Sequence, residues 1–155
     1  MPTGRRDFLK LSASALASYF TLPATQKTFA ASVGPLDSDR VAFPQGVASA
    51  DPQPNAVILW TRVEPLPDEQ RTQVVLQVSL TNQFEELLLE QTLITTTESD
   101  FTIRAMIHEL EPDTTYYYRF IAPDSAVSRV GRTWTAPLPD AKRPVMIALV
   151  SCQSW

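Results

Sequence analysis

Few side chains in this 155-residue chain carry reactive chemistry. It holds one cysteine, Cys152, and one histidine, His108. A protein zinc site draws on about four ligands, mostly Cys and His. One of each cannot furnish such a set, and a single Cys excludes an internal disulfide. Taken alone, Cys152 reads as an unpartnered thiol and His108 as a surface residue of a strand. Glu85-Glu86 reads as a solvated face, and Asp51 and Asn55 read as turn formers.

The other chemically distinctive group is the pair Arg5-Arg6, followed by Phe8, Leu9 and Lys10. A weakly apolar stretch runs from Leu11 to Ala24, and Lys27 precedes Thr28-Phe29-Ala30-Ala31. This is the layout of a twin-arginine export signal, an address read by a translocase. Gly4 stands where Ser or Thr is usual. The stretch is too short and too rich in Ser and Ala to cross a bilayer, which takes about 20 apolar residues. The expectation is a signal over residues 1–30, cleaved after Ala30, a bacterial cell-envelope or extracellular location, and the twin-arginine translocase as partner.

The whole chain has a formal charge of -4, and residues 1–30 hold four of its cations against one acid, so the remainder is more acidic still. It has no basic stripe, which argues against nucleic acid as a partner. No second apolar run is long enough to cross a membrane, so no stable membrane insertion is expected.

Something must position whatever these residues do. Residues 31–40 read as a linker and 41–137 as one domain of short strands. Val41–Ser49 reads as an edge strand interrupted by Pro44, followed by a turn over Asp51–Asn55. Ala56–Glu64 is a strong strand with Ile58 and Trp60 on one face and Val57, Leu59 and Thr61 on the other. Trp60 is expected at the centre of the core, against Tyr118 and Leu76. Val74, Leu76, Val78 and Leu80 share a face of the next strand. Glu86–Thr95 is ambiguous, with a helix-like start and a strand-like end. Phe101, Ile103, Ala105 and Ile107 alternate again, and a last strand lies in Ser125–Thr135 with Gly131 as a bulge.

The most specific local pattern is Leu110-Glu111-Pro112-Asp113-Thr114-Thr115-Tyr116. Leu-x-Pro-x-Thr-x-Tyr predicts a tyrosine corner, in which Pro112 shapes the turn and the Tyr116 hydroxyl bonds back to the corner's backbone. Tyr116, Tyr118 and Phe120 then line the inner face. Together these patterns predict an all-β immunoglobulin- or fibronectin-III-like antiparallel sandwich. Residues 138–155 read as a Pro-rich hinge and a stray apolar strand, Val145–Val150, of the kind buried between helical layers.

At this point the residues resemble a known family. Phe43-Pro44-Gln45-Gly46-Val47-Ala48-Ser49-Ala50-Asp51-Pro52, Val57-Ile58-Leu59-Trp60-Thr61-Arg62, the tyrosine corner, Val130-Gly131-Arg132-Thr133-Trp134-Thr135-Ala136-Pro137 and Val150-Ser151-Cys152-Gln153-Ser154-Trp155 resemble the amino-terminal part of PhoD-type alkaline phosphatases. Ala50 stands where the family usually has Gly, and Trp134 where a basic residue is common. The resemblance implies a β-sandwich followed by a metallophosphoesterase domain that holds iron and calcium and hydrolyses phosphate mono- and diesters. It places an iron-ligand role on Cys152, at the carboxyl end of a strand, where open α/β sheets put their sites. It implies further ligands that this sequence lacks, so no catalytic residue and no cofactor is assigned to the chain itself. The expectation is the export signal and accessory domain of a truncated phosphatase. A free-standing exported binding module is the alternative, and the resemblance implies a metallophosphoesterase domain, in cis or in trans, as partner.

Overall fold

The computed structural model describes residues 41–144 and Ala148. Seven strands run through them: β1 Val47–Gln53, β2 Ala56–Arg62, β3 Arg71–Ser79, β4 Leu89–Thr96, β5 Thr102–Ile107, β6 Thr115–Ile121 and β7 Gly131–Trp134. The described residues contain no α-helix, only a 3-10 turn at Thr97–Ser99. The strands form two antiparallel sheets, ordered β1-β2-β5 and β4-β3-β6-β7. Three strands packed on four in this order make a fibronectin-III-like sandwich.

The core follows from period-two alternation. From β3 come Val74, Leu76 and Val78, and from β6 come Tyr116, Tyr118 and Phe120, none more than 2 % exposed. Ile103 and Ile107 of β5 and Val57 and Leu59 of β2 close the core from the other sheet. The Tyr118 and Phe120 rings meet edge to face, 6.2 Å apart, the geometry that ring quadrupoles favour. Phe43 reaches Phe120 from the entry turn at 6.4 Å. That turn is pinned by the buried Thr61, whose hydroxyl donates to the Gly46 carbonyl at 2.9 Å.

Trp60 is not the central core aromatic. It lies half-buried on the outer face of β2, and Val57 and Leu59 hold the inner face. The strand is apolar at five successive positions, so alternation alone does not choose a side. Pairing with β5 chooses it. Val57 stands opposite Ile107, Leu59 opposite Ala105 and Thr61 opposite Ile103, and directly opposed residues share a face.

Other expectations shift by a few residues. Val41–Gly46 is a turn rather than a strand, with the Gly46 amide bonded to the Phe43 carbonyl at 2.9 Å. β1 runs on through Asp51 and Pro52, where a turn was expected, and the turn narrows to Pro54-Asn55. Asp51 adopts φ 50° beside an irregularity between Ala50 and Gln53, and an edge strand tolerates both that bulge and Pro52. The ambiguous segment is strand from Leu89 onward, and Leu80 projects past the end of its sheet, 53 % exposed. Gly131 makes no bulge. It pairs regularly with Tyr118, whose ring lies against it.

Candidate functional site

The sandwich has two ends. Antiparallel register places the β1–β2 turn, the β3–β4 loop, the β5–β6 corner and the residues after β7 at one of them. Here the predicted corner is built as expected. The Glu111 amide donates to the Tyr116 hydroxyl at 2.8 Å. The Thr114 hydroxyl donates to the Pro112 carbonyl at 2.9 Å. Asp113 sits at φ 56°.

The residues leaving β7 are tied into this corner. Thr135 is fully buried. Its hydroxyl accepts the Thr114 amide at 3.0 Å and donates to the Glu111 carbonyl at 2.6 Å. The Asp113 amide bonds to the Ala136 carbonyl at 3.2 Å, and the Ala136 amide to the Gln53 carbonyl at 3.1 Å. The exit is thereby attached to both sheets. Farther along, Arg143 returns to the same place. Its guanidinium pairs with Asp113 at 2.8 Å and lies 4.4 Å above the Trp134 ring. Both partners of the ion pair are partly exposed. An exposed pair gives about 0–1 kcal/mol, and a cation–π contact about as much again.

The opposite end holds an open cleft of about 780 Å³ lined by Arg62, Asp68, Gln70, Asp100 and Phe101 among others. Asp100 accepts two hydrogen bonds from Arg62 at 3.0 and 3.1 Å. Those bonds and the guanidinium charge hold the Asp100 carboxyl below its usual range and push Arg62 up. The two charges satisfy each other, so neither is poised for a ligand. A slot of about 230 Å³ separates β1 from β7, lined by Ser49, Pro52, Arg132 and Trp134 among others. Burial raises the Tyr118 hydroxyl's pKa, and a hydrogen bond with Ser49 opposes that.

Of the residues singled out from sequence, the structure joins Pro112 and Tyr116 in one corner and puts Trp60 on a different surface. His108 is exposed just past β5. Arg5, Arg6, Phe8, Leu9, Lys10 and Cys152 lie outside the described residues, as does Val145–Val150 apart from Ala148. Among the described residues, no three His, Cys, Asp or Glu side chains gather closely enough to hold a metal ion. The corner's ties to Thr135 and Arg143 were not visible in sequence, because those residues lie 21 or more positions from the corner residues they bond. Only the exposed Trp134 gave a hint, by departing from the family pattern.

Known proteins place this architecture. The family model "PhoD-like phosphatase, N-terminal domain" matches residues 28–137. Alkaline phosphatase D of Bacillus subtilis (strain 168) is 34% identical over 120 residues, which span 73% of this chain and 20% of that protein. The solved structure of PhoD superposes with a TM-score of 0.63 at 32% identity, covering 70% of this chain and 22% of that one. A fibronectin type III domain derived from human KIAA0970 protein aligns at 16% identity and a TM-score of 0.46, covering 70% of this chain and 84% of that one. The chain thus spans about a fifth of the length of the curated relative it matches, and by its matched residues and its sandwich it belongs to the PhoD-like phosphatase N-terminal domain family.

Proposed function

We propose that this chain is the amino-terminal accessory domain of an exported PhoD-like phosphoesterase, serving as a scaffold rather than as the seat of hydrolysis. One observation carries the reading. The residues leaving β7 are fastened to both sheets and latched again at Arg143, so the sandwich fixes the direction in which the chain continues. A scaffold that orients a neighbouring domain needs that feature, and a free-standing module has no use for it. The iron and calcium implied by the resemblance belong, in this reading, to the part of the enzyme after the hinge. Cys152 would offer its thiolate there. The described residues offer no donor set that fits either ion, so no step of metal chemistry is assigned to them.

The test is a fusion. The 155-residue chain is joined in frame to the part of Bacillus subtilis alkaline phosphatase D that lies beyond its matched 120 residues. Metal-dependent hydrolysis of a chromogenic phosphate ester is expected from the fusion, at a higher thermal midpoint than the bacillar part alone. Equal activity and equal midpoint without the sandwich would contradict the scaffold role. Export rests on the Arg5-Arg6 segment. Replacing both arginines by lysine should keep a folded fluorescent reporter, fused after residue 40, inside the cell, and continued export would count against the signal.

A further inference from the structure

We infer that the β3–β4 loop is the docking edge by which this sandwich grips the rest of its own enzyme, through three exposed leucines set in an acidic rim. The inference rests on the scaffold reading and names the surface that performs it. Leu80, Leu87 and Leu88 are 53, 40 and 54 % exposed. Singly exposed apolar residues are ordinary, but here two are consecutive in the chain and the third lies two residues past Val78, whose carbonyl accepts the Leu88 amide.

The loop is built to hold them there. The Leu88 amide bonds to the Val78 carbonyl at 2.8 Å, and the Ser79 hydroxyl donates to the Glu86 carbonyl at 2.7 Å. The Thr81 amide donates to the Ser79 hydroxyl at 3.1 Å. Phe84, at φ 56° and 8 % exposed, folds back so that Arg119 lies 4.3 Å over its ring. Arg119 is itself fixed. Its Nε donates to Gln77 Oε1 at 2.7 Å, and Gln77 Nε2 donates to Glu90 Oε2 at 2.6 Å. A chain of contacts across β4, β3 and β6 therefore turns one loop aromatic inward and leaves the leucines outward. A surface ordered before binding loses little entropy on binding.

Three observations identify the occupant. First, the loop shares an end of the sandwich with the exit. β3 lies two strands from β7, about 10 Å at ordinary strand spacing, and Trp134 and Leu138, 49 and 54 % exposed, flank the exit. Second, three leucines fall well short of the roughly 1,000 Å² that an untethered interface needs. A partner joined through residues 138–144 binds at an effective concentration near millimolar, so a small patch is enough. Third, Glu85 and Glu86 border the leucines and are exposed. Two copies of this patch would bring like charges together, which disfavours a dimer, whereas an apolar surface rimmed by Lys or Arg complements it. The occupant is the phosphoesterase body tethered after residue 144, presenting such a surface.

Hydrogen exchange on the same fusion, against the 155-residue chain alone, tests this. Amides of residues 80–88 are expected to exchange about tenfold more slowly in the fusion, the mark of a contact that opens seldom. Leu87→Asp combined with Leu88→Asp should abolish that protection and leave the thermal midpoint of the chain alone unchanged. Leu80→Asp, on the other arm of the loop, repeats the test if the double variant unfolds. An active, stabilised fusion whose loop exchanges as fast as in the free chain overturns the docking edge and spares the scaffold reading. So does protection confined to the outer face around Trp60 and Met106, or protection that survives the leucine variants. A fusion no more stable or active than the bacillar part alone overturns both. A chain that sediments as a dimer, and becomes a monomer with the leucine variants, makes a second copy the occupant and also overturns it.

Discussion

At the scale of single residues, burial and partner decide what a side chain is worth. Tyr116→Phe removes the acceptor of the Glu111 amide and leaves that donor unpaired in the corner. It should cost about 1 kcal/mol or somewhat more by denaturant unfolding, and no change would mean the corner does not depend on the hydroxyl. Thr72 presents the opposite case. It is 4 % exposed, and its hydroxyl finds no hydrogen-bond partner. Thr72→Val keeps the shape and removes a buried polar group, so it should stabilise by about 1 kcal/mol. A loss of stability would show that the hydroxyl has a partner in solution. Tyr116 was legible in sequence because corner and tyrosine lie within seven residues of each other. Nothing local marks the Thr72 hydroxyl as unpaired, since that depends on what the other strands fail to bring near it.

At the scale of elements, the strands with clean alternation were readable and the rest were not. β3, β5 and β6 each carry one apolar face, so both their existence and their orientation follow from period two. β2 is apolar on both faces. Its existence was plain, but its inner side waited on pairing with β5. A pair of substitutions measures the difference. Leu59→Ala should cost about 2–5 kcal/mol, as buried leucines do. Trp60→Ala, on the half-buried outer face, should cost less than the ~3–5 kcal/mol typical of a core aromatic. The reverse order would return Trp60 to the core. β1 resisted reading because Asp51 and Pro52 are turn residues used within an edge strand. The β6–β7 pair rests on a close approach. A Cβ at Gly131 would overlap the ring carbons of Tyr118, a core residue with no room to retreat. Gly131→Ala should therefore destabilise by about 1–3 kcal/mol, read as a lower unfolding midpoint, and a neutral result would place the ring elsewhere.

At the scale of the whole molecule, the fold class was legible and the working end was not. Turn spacing and the tyrosine corner sufficed for a sandwich. The exit latch joins Asp113, Trp134 and Arg143, and the loop anchor joins Phe84 to Arg119, across separations that no short motif records. Both devices face the end from which the chain continues. The cleft at the other end is lined by the Arg62–Asp100 pair, which is held in exposed surroundings and adds little to stability. In the proposed reading the sandwich directs and grips a neighbouring domain through this end, and bond breaking belongs to that domain. The direct check is to assay the purified 155-residue chain, supplied with iron and calcium, against a chromogenic phosphate ester. No hydrolysis above the metal-only control is predicted, and sustained turnover by the chain that a chelator abolishes would contradict the account.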